Sequence, residues 1–241
     1  MRWTKGWPAI CFALPLVLAA QATQTPQTMP QIPSSAAPAI PAPPPFVVLL
    51  DAAHGGSDIG ARLTPTLLEK DLTLDLTNRL RSMLAARGFD LSTTRNSDTT
   101  LSTVGRAEIA NSKPAAACLI VHATATGSGV HLYTSSLSPS PLEKFMPWQT
   151  AQSAYITQSL KLSSDIDSAL AHAEIPVTLG RTSLQPMDSF ACPAVAVEIA
   201  PLQPGASTKG SLIVDEAYQR NILGALAAAL DEWRNEWKQQ P

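Results

Sequence analysis

With 241 residues, 45% of them apolar and 15% charged, the chain can bury one full core and still carry appendages. Its formal charge of −2 provides no concentrated basic surface, which excludes the ordinary nucleic-acid binder. Its 21 prolines are unevenly spread, and that unevenness divides the chain.

Residues 1–22 have the three parts of a secretory signal peptide: basic Arg2 and Lys5, an apolar run from Trp7 to Ala20, and the small-x-small site Ala20-Gln21-Ala22. The run is short for a membrane span, so no stable span is expected after cleavage; an uncleaved anchor is the alternative. Cys11 has apolar sequence after it, which argues against a lipid-anchored cysteine. Cleavage would remove Arg2 and Lys5 and take the formal charge from −2 to −4. The expected location is periplasmic or extracellular. Residues 23–45 hold eight prolines among Gln, Thr, Ser and Ala, a composition that favours an extended disordered linker over a packed core. The folded domain is expected over 46–238. Its cysteines, Cys118 and Cys192, could form one bridge in an oxidising compartment, but their apolar surroundings favour two buried thiols.

Within the domain, Phe46 to Leu50 reads as a buried strand ending at Asp51, with His54 on the Gly-rich turn that follows. Leu72, Leu76, Leu80, Met83 and Leu84 recur at helical spacing. Glu69 and Asp71 lie in the first turn of that helix, and Arg87-Gly88 lies at its end. Glu69 reads first as a helix-start carboxylate; the functional alternative is a ligand reaching back toward His54. Strands are expected at 89–94, at 115–121 running into His122, at 130–133, at 181–184 and at 193–199. Helices are expected at 101–112, with Val104, Ala107, Ile109 and Ala110 inward, at 151–173 and along Ile222, Leu226, Leu230, Trp233 and Trp237. The segment 137–148 reads as a loop or flap. Alternating strands and helices predict a three-layer αβα fold: a mostly parallel twisted sheet with helices on both faces.

Four side chains then stand at element ends: His54, Glu69, His122 and Glu198. Catalytic zinc takes three protein ligands from His and Glu, and a nearby carboxylate can move the proton of an acidified water. Fourteen residues separate His54 from Glu69 and fifty-two separate Glu69 from His122, so only a fold that gathers strand ends unites them. Glu198, a carboxylate in an apolar strand, calls for a partner. His131 reads as a surface strand residue and His172 as solvated. Arg95, Arg106 and Asn111 read as ion-pair and loop-bonding residues.

The series Leu50-Asp-Ala-Ala-His-Gly-Gly-Ser-Asp-Ile-Gly-Ala61, Leu68-Glu-Lys-Asp-Leu72, Thr94-Arg95, Arg106, Ala110-Asn111, Val121-His-Ala123, Gly129-Val130 and Pro193-Ala-Val-Ala-Val-Glu198 resembles the zinc-dependent N-acetylmuramoyl-L-alanine amidases. The resemblance covers the domain from about Val47 to Leu230. It implies Zn2+ held by His54, Glu69 and His122, Glu198 as the catalytic carboxylate, and peptidoglycan as the partner, cut between N-acetylmuramic acid and L-alanine. The chain departs from the family at Ala52-Ala53 (usually Pro-Gly), at Thr124 (usually Asn), and after Glu198, where Ile199-Ala-Pro-Leu-Gln203 replaces Gly-Phe and a Ser-Asn pair. These changes shape the groove without removing a ligand. They leave open a wall-binding or regulatory amidase-fold protein, or a zinc hydrolase of another peptide or acyl amino acid; a protein activator is also left open.

Overall fold

The computed structural model of the chain describes residues 46–141, 147–205 and 209–237. The expected signal peptide and linker, and the middle of the 137–148 segment, lie outside the described residues.

Six strands form one sheet: β1 Val47–Ala52, β2 Asp90–Thr93, β3 Ala115–Ala123, β4 Val130–Ser135, β5 Val177–Thr182 and β6 Ala194–Ile199, in the order β2-β1-β3-β6-β4-β5. β2, β1, β3 and β6 pair in parallel; β4 meets β6 antiparallel and β5 runs parallel to β4. Among the described residues, four helices pack around them: α1 Glu69–Ala85, α2 Thr103–Asn111, α3 Ile156–His172 and α4 Glu216–Trp237. This is the three-layer α/β architecture expected from the alternating pattern.

Its two outer layers are unequal. Strand alternation sends Leu119, Val121 and Ala123 of β3 to one face, where they join Leu76 and Leu80 of α1, Ile166 of α3 and Leu226 of α4. A fully buried leucine there contributes on the order of 1.5–3 kcal/mol. Cys118 and Ile120 point to the other face, with Leu49, Ala107, Phe190 and Ala196. That thinner layer consists of α2 and two short 3-10 turns, Trp148–Ala154 and Met187–Ser189.

Several local expectations change. Cys118 and Cys192 are joined in a disulfide, with Cα atoms 6.2 Å apart. Pairing of β3 with β6 sets Cys118 beside Ala194, two residues from Cys192, a proximity that neither cysteine's local sequence reveals. Strand β5 lies earlier than expected, because Val177–Thr182 is the stretch in register with Val130–Ser135. The helix expected over 151–173 is split: a 3-10 segment kinked at Thr150 precedes α3, which begins at Ile156. Val104 is exposed, and the buried face of α2 is Arg106, Ala107 and Ala110. β1 continues through Asp51 to Ala52, a buried acid tolerated in a strand because Arg106 pairs with it at 2.5 Å.

Candidate metal centre and reaction site

His54 lies two residues past the end of β1, in the left-handed region with φ 62°. A non-glycine residue there is strained, so its surroundings must hold it. Arg106 does so by donating to the Ala52 carbonyl at 2.8 Å, to Asp51 and to the His54 carbonyl itself. Arg95 donates to the carbonyls of Ala52 and Ala53 at 2.9 Å each, and to that of Lys70 at 2.8 Å. Ala52 and Ala53, the departure from the family pattern, are buried and serve through their carbonyls. The next turn is clamped as well. Lys70 donates to the Gly56 carbonyl at 2.9 Å and to Asp98 at 2.7 Å, while Asp98 accepts from the Gly56 N–H at 2.6 Å.

Glu69 opens α1 and is buried beneath this turn. Its Oε1 lies 3.1 Å from His54 Nε2 and 3.0 Å from His122 Nδ1, and accepts the Ala123 N–H at 3.2 Å. Its Oε2 accepts the Ala61 N–H at 2.8 Å. Burial alone would raise its pKa; hydrogen bonds from His122, His54 and the two backbone N–H groups overcome this and hold the carboxyl well below the usual range. His54 is pushed up, first by its hydrogen bond to Glu69, against burial, with Asp58 adding to the rise.

The donor set fits a zinc ion. One ligand atom each from His54, Glu69 and His122 lies within 4.8 Å of the others, and two imidazoles with one carboxylate is a donor set of catalytic zinc. Asp58 Oδ2 engages His54 Nδ1 at 2.9 Å, which leaves Nε2 as the inward donor, the carboxylate–histidine arrangement that orients metal ligands. Gly60 leaves the cradle open: a Cβ there would stand 2.7 Å from both Glu69 Oε2 and His54 Cδ2. Neither Asp58 nor Gly60 stood out in the sequence, since both sit in a Gly-rich turn that reads as a loop.

Glu198 is gathered to the same end of the sheet. It is in register with His122 on β3 and with His131 on β4, so the three side chains form a row on the thin-layer face. His131, expected as a surface residue, is half-buried, and its Nδ1 lies 2.8 Å from Glu198 Oε2. The antiparallel register of β4 on β6 makes this contact. Thr124 accepts the Thr126 N–H at 3.3 Å and so folds its loop back on itself. Asn111 bonds the backbone of Ser189 and Ala191, and His172 is exposed, as expected of both.

Fold and donor cluster together define a three-layer α/β domain with a His–Glu–His group of metal-binding type at the strand ends. The family profile described as N-acetylmuramoyl-L-alanine amidase, amidase-3, matches residues 48–232, and the chain belongs to that family. N-acetylmuramoyl-L-alanine amidase AmiC of Neisseria meningitidis is 25% identical over 222 residues, 78% of this chain and 53% of AmiC. AmiA of Escherichia coli is 32% identical over 106 residues, 42% of this chain and 37% of AmiA. The chain thus spans about half, or less, of the length of these relatives. The solved amidase Ami1 of Mycobacterium smegmatis superposes with a TM-score of 0.60 at 21% identity, covering 82% of this chain and 99% of Ami1. The catalytic domain of the amidase CwlV from Bacillus (Paenibacillus) polymyxa also gives 0.60 at 21% identity, over 79% of this chain and 98% of that domain. At these identities the structures establish a shared fold.

Proposed function

We propose that the chain is an exported zinc-dependent N-acetylmuramoyl-L-alanine amidase, cutting the amide between the lactyl group of N-acetylmuramic acid and L-alanine of the stem peptide. The observation that carries this reading is the convergence of His54, Glu69 and His122 ligand atoms within 4.8 Å, in a chain of the amidase-3 family. These three residues would hold the zinc, which when bound supplies a Lewis acid that polarises the scissile carbonyl and acidifies water. Glu198 is the proton-handling group in this reading. It takes a proton from the attacking water as the new C–O bond forms, and returns it to the alanine nitrogen as the C–N bond breaks. The products are a lactyl carboxylate and a stem peptide with a free amino terminus.

Export rests on the signal-like residues 1–22, and the Cys118–Cys192 disulfide supports an oxidising compartment. Among the described residues, no helix is long and apolar enough to cross a membrane. Residues 23–45 would then be a linker ahead of a catalytic domain over 46–238. Digestion of purified sacculi with zinc-loaded protein tests the reading. Wild type should bind one zinc and release stem peptides beginning with L-alanine. Glu198→Gln should retain zinc and lose about 10²–10⁴-fold in kcat. Wild type that binds wall without hydrolysing it would instead favour a wall-binding role, and hydrolysis only of small acyl amino acids would move the substrate.

A further inference from the structure

Glu198 must present one defined carboxylate oxygen to water, yet it stands on a strand beside solvent, with its side chain 31% exposed. A carboxylate in that position turns freely about its last bonds unless something fixes it. Among the described residues, its hydrogen-bonding partner is His131: Nδ1 of the imidazole lies 2.8 Å from Oε2, and no protein group bonds Oε1. An ionised carboxylate has no proton to give, so the bond requires the proton on Nδ1. His131 is in turn held in place. It occupies the register position opposite Glu198, its side chain is 16% exposed, and its ring meets Tyr133 edge-on at 6.5 Å. Gly127, at φ 90°, lies against the ring's other edge. A Cβ at 127 would stand 2.6 Å from His131 Cε1 and 3.0 Å from Nε2. The loop after β3 therefore closes on the imidazole through the one residue type that leaves it room.

We infer that His131 is a positioning residue for Glu198. Its Nδ1–H donates to Oε2 and fixes the carboxylate, leaving Oε1 to meet water and the departing amine. This rests on the amidase reading of Glu198. Two properties of the ring can be separated. His131→Phe keeps a ring beside Gly127 and Tyr133 but has no donor, whereas His131→Asn keeps a donor near the Nδ1 position and loses most of the ring.

Steady-state hydrolysis of muropeptides by the zinc-loaded full chain should show kcat of His131→Phe lowered by roughly 10- to 100-fold, with KM, zinc content and thermal midpoint little changed. His131→Asn should recover most of the loss, and in a Glu198→Gln background His131→Phe should have no further effect. Wild-type kcat in His131→Phe, no recovery in His131→Asn, or an equal loss in the Glu198→Gln background would overturn the assignment. A readout independent of turnover is the ring-nitrogen NMR spectrum of His131. The Nδ1–H form should dominate in wild type and give way to the other tautomer in Glu198→Ala; an unchanged spectrum overturns the pairing. If the tautomer switches but wild type hydrolyses no wall fragment, the pairing stands and the amidase reading fails.

Discussion

The two halves of the site are built to different standards. The half carrying His54 and Glu69 is braced from every side: Arg95 and Arg106 seize the carbonyls from Ala52 to His54, Lys70 and Asp98 clamp Gly56, and Asp58 turns the imidazole. Among the described residues, the half carrying Glu198 has one side-chain hydrogen bond at its carboxylate, from His131. Just beyond it, the Tyr218 hydroxyl donates to the Ala200 carbonyl at 2.9 Å. The difference fits the roles proposed for the two halves, zinc ligands in the first and a proton-handling carboxylate in the second. Donors to one ion must converge within tenths of an ångström, and the strained backbone of His54 adds a penalty that only a network can offset. A proton carrier needs orientation but also freedom to face water and then an amine.

The heavily braced half should therefore fail in stability when it is broken. Arg106→Ala leaves Asp51 buried without its counter-charge, and urea unfolding should show a loss of about 3–5 kcal/mol, with zinc retention falling alongside. A loss below about 1 kcal/mol would mean that the network is ornamental.

The lightly braced half should yield smaller effects. Burial pushes the Tyr218 hydroxyl up to about 12, above its ordinary value near 10. A group whose pKa is raised by folding contributes stability that is complete below the unfolded value and is lost as pH rises through the folded one. Tyr218 should therefore drain stability between about pH 10 and 12. Tyr218→Phe should cost about 1 kcal/mol at neutral pH, for one hydrogen bond, and flatten that alkaline decline. An alkaline profile identical to wild type would exclude Tyr218 as its source.

The contrast between the halves also marks how far the sequence reading reached. Local pattern marks His54, Glu69, His122 and Glu198 as candidates, since each stands at an element end or interrupts an apolar strand, while their roles as ligands and catalytic carboxylate come from the family resemblance. The helices of the thick layer were legible from leucine spacing. What escaped depends on which strand lies beside which. The His131 contact to Glu198 arises from antiparallel register between β4 and β6, and the Cys118–Cys192 bond from β3 beside β6. Neither register is written in one segment. Asp58 escaped for the opposite reason, since a short acid among glycines reads as turn chemistry until the imidazole beside it is seen. Helical spacing points Val104 inward, but α2 is short and buries Arg106 in its stead, drawn in by Asp51.

Whether His54, Glu69 and His122 form one zinc centre can be read from X-ray absorption at the zinc edge on stoichiometrically loaded protein. The spectrum should show one tightly held zinc with two imidazole nitrogens and carboxylate oxygen at about 2.0–2.2 Å, no sulfur, and one imidazole fewer in His122→Ala. Failure to retain zinc, sulfur in the first coordination sphere, or an imidazole count unchanged by His122→Ala would contradict it.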